Sequence, residues 1–215
     1  EPDPTPCMEV LREVWSERKA RNFTIFVFLS MTAYFMQELI LEPYAGLVFG
    51  FTPGQSTSLS GAQNGGVFIG MLTVGIMATG LKIGLLRNWV MAGCMGSATA
   101  LAIITFLGPL GPTAPIIPAV VLLGFFNGMF AVAAIGSMMA LAAEGAARRE
   151  GTRMGLWGAA QAIAAGFGGL VGAAMVDILR TSMTDTQAFG SVFIAEAALF
   201  IAATAMAAQI MDRKM

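Results

Sequence analysis

The stretch IIPAVVLLGFFNGMFAVAAIGSMMALA (116–142) contains no charged residue. It is long enough to cross a bilayer as one helix, because a hydrocarbon core of about 30 Å needs roughly 20 apolar residues. Pro115 and Pro118 open the stretch, where proline is tolerated in the first turn of a helix. Five further runs have the same character, at about 23–48, 59–80, 89–107, 154–176 and 190–210. The sequence therefore predicts an all-α membrane protein with six transmembrane helices.

The composition excludes most other classes of protein. Of 215 residues, 56% are hydrophobic and only 12% are charged, and the mean hydropathy is +0.73. Water-soluble domains have about 25% charged residues, so this chain is too apolar to be one of them. The formal net charge of −1 gives no field that would attract a polyanion. We therefore expect no nucleic-acid partner.

The positions of the basic residues predict the orientation. With six spans and a cytoplasmic N-terminus, Arg180 is the single basic residue on the far side. The cytoplasmic side then holds Arg12, Arg18, Lys19, Arg21, Lys82, Arg87, Arg148, Arg149, Arg153, Arg213 and Lys214. Because cytoplasmic loops retain Lys and Arg, we expect both termini in the cytoplasm. The domains predicted are a charged cytoplasmic segment (1–22), a six-helix transmembrane bundle (23–210) and a cytoplasmic tail (211–215).

Several kinds of chemistry find no support in the sequence. The chain has no histidine, which excludes the commonest metal ligand, the Ser/His/Asp triad and an axial imidazole for a pigment. No nucleophile has a visible base, and Cys7 and Cys94 are too few for a thiolate cluster. We expect no enzyme and no metal site built from protein ligands alone. Because the chain begins with Glu1, we also expect a piece or processed form of a longer protein.

Carboxylates inside a predicted span are the first candidates for function, because such groups are costly in lipid. Glu38 and Glu42 are four residues apart and therefore share one face of the first span. If both were ionised they would repel each other, which favours a proton on one of them. Carboxylate oxygens also suit the hard magnesium ion of a porphyrin-type pigment. A hydrated position near the far interface, favoured by Pro43, remains the alternative.

The other polar candidates are amides, one phenol and one further carboxylate. Gln37 and Tyr44 accompany the two glutamates, and three amides further along the chain, Asn64, Asn127 and Gln161, fall inside spans. Helix packing through interhelical hydrogen bonds is the alternative to ligand contact for the amides. For Glu196, near the start of the sixth span, we expect hydration at the interface or partnering with another helix.

Glycines at small-xxx-small spacing predict close contacts between helices. The chain has 26 glycines, and many pairs are separated by three residues. Such pairs let two backbones approach in lipid, where no hydrophobic force drives helices together. The packing candidates are Gly61, Gly65, Gly66, Gly70, Gly168 and Gly172, and Gly124 and Gly128 have the same spacing. A glycine-lined path for a bulky ligand is the alternative.

Two features at the predicted cytoplasmic ends complete the pattern. A compact charged turn contains Glu144, Arg148, Arg149 and Arg153. It either reflects only the orientation of the chain in the membrane, or it binds an acidic lipid headgroup or a soluble partner. Trp89 and Trp157 have positions typical of interface anchors.

Six spans with cytoplasmic ends resemble the C-terminal half of a major facilitator, in which two three-helix units are inverted repeats. The resemblance becomes narrower at three stretches, MQELILEPYAGLVFG (36–50), SGAQNGGVFIGM (60–71) and GLWGAAQAIAAGFGGLVGA (155–173). These are similar to the PucC/LhaA family of facilitator-like proteins from phototrophic bacteria. The residues carried over by position are Gln37, Glu38, Glu42, Pro43, Tyr44, Asn64, Gly65, Gly66, Trp157 and Gln161.

The resemblance implies an assembly factor for light-harvesting complexes that binds or delivers bacteriochlorophyll to antenna polypeptides. It implies antenna polypeptides, pigment-synthesis proteins, lipids and an N-terminal six-helix half as partners, in the bacterial inner (intracytoplasmic photosynthetic) membrane. One alternative is a proton-coupled major facilitator that exports a small amphiphile, with Glu38 or Glu42 carrying the proton. Another is a scaffold without cargo, whose glycine faces, including Gly168, dock antenna helices.

Overall fold

The computed structural model describes residues 7–144 and 150–211. These residues form seven α-helices and no strand. The helices are α1 (Cys7–Ser16), α2 (Arg18–Phe49), α3 (Pro53–Val74), α4 (Leu86–Leu107), α5 (Ile116–Ala143), α6 (Glu150–Leu179) and α7 (Asp185–Ile210). A π-helical segment (Gly75–Gly80) extends α3, and a 3₁₀ segment (Gly108–Thr113) extends α4.

Six of these helices, α2 to α7, are long and apolar enough to cross a membrane. The prediction of an all-α, six-span membrane protein is therefore confirmed. All of these helices except α5 begin earlier than hydropathy alone indicated, and in α3 and α7 polar capping residues account for the earlier start. Thr52 and Gln55 form a reciprocal capping box that starts α3 at Pro53, six residues before the predicted start at residue 59. Thr184 and Gln187 do the same for α7.

The turn between α2 and α3 depends on a glycine. Gly50 has φ of 72° and its N–H bonds the carbonyl of Ala45, so it closes α2 in the left-handed conformation that side chains disfavour. Only three residues separate the two helices. They are consequently antiparallel neighbours.

The helices contact one another in a two-fold pattern. The main pairs are α2 with α6, α3 with α5, α4 with α5, α2 with α7, and α4 with α7. Exchanging α2 with α5, α3 with α6 and α4 with α7 leaves this set of pairs unchanged. Since each set contains three spans, the second set starts from the opposite side of the membrane. This is the arrangement of an inverted three-plus-three repeat.

The basic residues of the predicted cytoplasmic side gather at one end of the bundle. Lys19 pairs with Glu144 at 2.6 Å, Arg153 pairs with Glu17, and Arg87 donates to the carbonyl of Ala208 at 2.9 Å. Arg180 pairs with Asp185 at the other end. The side of the membrane that each end faces remains a prediction.

Candidate functional site

Glu38 and Glu42 lie exposed on one side of α2. The carboxylate of Glu42 accepts a hydrogen bond of 2.7 Å from the hydroxyl of Ser60 on α3, which fixes the two helices at the same depth there. Asn64 is exposed one turn further along α3, and Glu38 is one turn back along α2. Because the two helices are antiparallel, Asn64 is level with Glu38. We call Glu38, Glu42, Ser60 and Asn64 the outer polar patch.

The outer polar patch is at membrane depth and opens away from this bundle. Glu38 is eleven residues from the end of α2 at Phe49, or about 16 Å along the axis. A carboxylate at such a depth faces protein or a water-filled cavity rather than lipid tails. The exposed side of α2 and α3 therefore carries polar groups that are better matched to protein or water than to lipid tails.

Gln37 and Tyr44 point the other way, into the bundle. Gln37 is 1% exposed and Tyr44 is 0% exposed. The hydroxyl of Tyr44 donates to the carbonyl of Ile104 on α4 at 2.8 Å. The Tyr44 ring also contacts Phe189 and Phe193 on α7, with centroids 5.4 and 4.9 Å away. These two residues therefore belong to the interior, although they are close in sequence to the exposed glutamates.

Asn127 is fully buried where α4 meets α5. Its side-chain oxygen accepts a hydrogen bond of 2.8 Å from the hydroxyl of Ser97. Glu196 on α7 is also fully buried. The expectation that Glu196 is hydrated at the interface is wrong, because its side chain is enclosed by the bundle, in which α7 packs against α2 and α4. We call Gln37, Ser97, Asn127 and Glu196 the inner polar layer.

The glycine candidates divide between the interior and the open surface. Gly66 and Gly70 face α5 so closely that an added Cβ would lie 2.4 Å from the carbonyl oxygen of Val121 and 2.0 Å from that of Phe125, respectively. Gly124 and Gly128 of α5 face α3 in the same way. Gly168 and Gly172 of α6 face the carbonyl oxygens of Thr32 and Met36 on α2.

Gly61 and Gly65, by contrast, are exposed and have open space in front of them. Gln161 is half-buried on α6. Of the four amide candidates, Gln37, Asn64, Asn127 and Gln161, only Asn64 and Gln161 are therefore reachable from outside the bundle.

Sequence reasoning missed an ion-pair cluster that joins α2, α5 and α6 at the basic end. Arg153 is 8% exposed, and it bonds the carboxylate of Glu17. Trp157, one turn further along α6, is 1% exposed and packs edge-on against Phe23 at 4.9 Å. The expectation of an interface anchor at Trp157 is therefore wrong. Arg148 and Arg149 lie outside the described residues.

The comparisons with known proteins agree with the resemblance. The family model described as PUCC protein matches residues 1–215. The chain belongs to the PUCC family. No solved structure matches it.

Three curated relatives are similar to this PUCC-family chain. A Rhodobacter capsulatus protein named bacteriochlorophyll synthase 44.5 kDa chain is 68% identical over 96% of this chain and 48% of its own length. Proteins named PucC from Rhodovulum sulfidophilum and Cereibacter sphaeroides are 27% and 28% identical, over 84% and 83% of this chain and 39% and 38% of their own lengths. The chain thus spans about half the length, or less, of these relatives.

Within residues 7–144 and 150–211, no cluster of three or more Asp, Glu, Cys or His side chains could hold a metal ion. The outer polar patch offers pairs of oxygen atoms instead. Such pairs can supply one axial ligand to a metal that another molecule already holds, or they can bind and release a proton.

Proposed function

We propose that this PUCC-family chain is part of an assembly factor for bacterial light-harvesting complexes, and that its outer polar patch binds bacteriochlorophyll for delivery to antenna polypeptides. The observation that carries the proposal is the exposure of Glu38 and Glu42 at membrane depth. Family membership and the names of the relatives support the pigment and the antenna. The proposed role is binding and transfer, without catalysis.

The donor set of the patch fits a magnesium chlorin. Mg²⁺ is a hard ion that prefers oxygen ligands, and the chain contains no histidine that could compete. Glu42 already accepts the hydroxyl of Ser60, so Glu38 and Asn64 would be the better oxygen donors to the magnesium of a bound chlorin. Gln37, Tyr44 and Asn127 are buried in the bundle and are not proposed as pigment ligands. A bound chlorin would supply the metal and the ring, and the chain would supply the ligand and its orientation.

The proposed partners are antenna polypeptides and pigment-synthesis proteins, in the bacterial inner photosynthetic membrane with both ends cytoplasmic. An N-terminal six-helix half is proposed to cover part of the patch, because the relatives are about twice as long. Gly168 contacts α2 within this bundle, which argues against its docking an antenna helix. The pair Gly61 and Gly65 is the better docking surface, because its open space admits a partner backbone.

The test uses the whole polypeptide that carries this chain, expressed in a phototrophic host and purified from its membranes. We expect Glu38→Leu to lower chlorin absorbance per protein at least several-fold, and Glu38→Gln, which keeps an oxygen ligand, to lower it less. Glu9→Gln on α1 is the control, because Glu9 is exposed outside the spans. Near-infrared absorbance of the membranes reports antenna assembly. Equal pigment in Glu38→Leu and the unaltered protein would refute the proposed ligand.

A proton-coupled exporter of a small amphiphile is the second candidate. It is favoured by the same observation, two exposed carboxylates one turn apart on a face that opens away from the bundle. It predicts amphiphile flux in proteoliposomes that depends on a pH gradient and is abolished by Glu42→Gln. Flux that is equal without a gradient would exclude this candidate.

A further inference from the structure

Gln37 on α2 and Glu196 on α7 are buried polar groups on two helices that pack against each other. The Tyr44 ring contacts Phe189, which sets the depth and the facing sides of the two helices. Gln37 lies seven residues before Tyr44, and Glu196 lies seven residues after Phe189. A step of seven residues along a helix turns to within about 20° of two full turns and rises by about 10 Å. Because α2 and α7 are antiparallel, both steps lead to the same interface. Tyr44 contacts Phe193 as well as Phe189, which places Gln37 and Glu196 within about one turn of each other in depth.

The other two members of the inner polar layer lie at this depth as well. Ser97 is seven residues before Ile104, whose carbonyl accepts the hydroxyl of Tyr44, and α4 is parallel to α2. Asn127 is joined to Ser97 by their hydrogen bond. Thr105 follows Ser97 by eight residues, and Thr204 follows Glu196 by eight residues. The hydroxyl of each threonine donates to a carbonyl of its own helix. Ser97 and Glu196 therefore occupy matching positions in the two repeats.

The electrostatics of this layer are unusual, because nothing in it balances a negative charge. Neither carboxyl oxygen of Glu196 has a hydrogen-bond partner within the described chain, and neither does the side-chain oxygen of Gln37. On α2 the polar group at this depth is the amide of Gln37, whereas the phenol of Tyr44 lies two turns away and bonds Ile104. On α4 the polar group nearest this depth is the hydroxyl of Ser97, which donates to Asn127, and the buried thiol of Cys94 lies about one turn away along α4.

The described cations lie at the ends of these helices. Arg87 binds the carbonyl of Ala208, which is twelve residues from Glu196 and about 18 Å along the axis of α7. An ionised, unpaired carboxylate in the interior of a membrane bundle costs many kcal/mol. The neutral acid removes that cost, and its O–H is the donor that the oxygen of Gln37 lacks.

We propose that Glu196 and Gln37 form a proton-binding site at the centre of the bundle, in which the protonated carboxyl of Glu196 donates a hydrogen bond to Oε1 of Gln37. The site joins α2 of the first repeat to α7 of the second. It is separate from the outer polar patch, which is on the other side of α2, and it does not depend on the proposed function.

Infrared spectroscopy of the whole polypeptide in lipid, in H₂O and in D₂O, tests the site directly. We expect Glu196→Gln to remove one C=O stretching band of a protonated carboxylic acid at neutral pH. Gln37→Leu should shift that band to higher frequency, because the acid loses its acceptor. Glu9→Gln, which changes an exposed carboxylate of α1 outside the spans, should leave the band in place.

The outcomes separate this site from the proposed function. A spectrum in which Glu196→Gln removes no protonated-acid band would overturn the proposal, whatever the pigment content of the protein. Should Glu196→Gln fail to fold, Gln37→Leu still decides, because it leaves the acid itself intact. An unshifted band in folded Gln37→Leu would disprove the hydrogen bond.

Discussion

The outer polar patch and the inner polar layer use the same kinds of side chain for opposite purposes. Gln37 and Glu38 are neighbours in sequence, yet Gln37 is buried against α7 and Glu38 is exposed. In the inner layer the bond from Ser97 to Asn127 joins two helices, and in the outer patch the bond from Ser60 to Glu42 does the same at an exposed position. The contrast teaches that polarity at membrane depth is not by itself evidence of a ligand site. The side of the helix on which a group lies decides what the group can do.

The largest expected effect concerns two glycines of α3, of which one packs against α5 inside the bundle and the other faces open space. We expect Gly70→Leu to destabilise the bundle by more than about 3 kcal/mol, because overpacking against a backbone carbonyl 2.0 Å from the new Cβ cannot be relieved by a change of rotamer. Unfolding in detergent, followed by circular dichroism, measures the loss. Gly65→Leu is the matched control, since no atom lies within 4 Å of its added Cβ.

Similar losses in both glycine variants would contradict the division of α3 into a packed side and an open side. A normal fold in Gly65→Leu, together with poorer recovery of antenna complexes, would instead support Gly61 and Gly65 as a docking surface.

The number of spans and the close contacts of Gly66, Gly70, Gly168 and Gly172 could be predicted from the sequence, whereas the prediction of contacts within the bundle at Gly61 and Gly65 is wrong. Length and hydropathy identify a span, and small residues three apart identify where two helices can approach. The inward positions of Gln37 and Glu196 could not be predicted in this way. In a membrane bundle the lipid and the interior are both apolar, so the periodicity that separates the two sides of a soluble helix is weak. Their positions became clear only from tertiary contacts such as that between Tyr44 and Phe189.

The second largest effect is expected from the ion pairs at the two ends of the bundle. Arg153 is 8% exposed and holds Glu17, whereas the side chain of Arg180 is 37% exposed and holds Asp185. Removing one partner of a buried pair costs about 3 kcal/mol, and an exposed pair contributes at most about 1 kcal/mol. Arg153→Gln should therefore lower stability much more than Arg180→Gln in the same unfolding assay. Equal losses would mean that burial does not strengthen the pair with Glu17.

A smaller effect is expected at the two tyrosines of α2. In a regular helix the N–H of Gly108 would bond the carbonyl of Ile104, but here it bonds the carbonyl of Thr105. The hydroxyl of Tyr44 donates to the carbonyl of Ile104 instead. Tyr44→Phe removes the donor from a buried carbonyl and should cost about 1–2 kcal/mol. Tyr34 is half-buried and has no hydrogen bond from its hydroxyl within the described residues. Tyr34→Phe should therefore lower the free energy of unfolding by less than Tyr44→Phe does. If Tyr34→Phe cost as much, the loss would reflect the phenol in general rather than the contact with α4.

The smallest effect is expected in the outer polar patch, where Ser60 donates to Glu42. Ser60→Ala should change stability by no more than about 0.5 kcal/mol, because neither partner is enclosed by the bundle. The substitution also frees the carboxylate of Glu42, so pigment content should stay the same or rise if the patch binds a magnesium chlorin. A loss of stability equal to that of Tyr44→Phe would show that the patch holds α2 to α3, and a ligand-binding role for Glu42 would then lose its support.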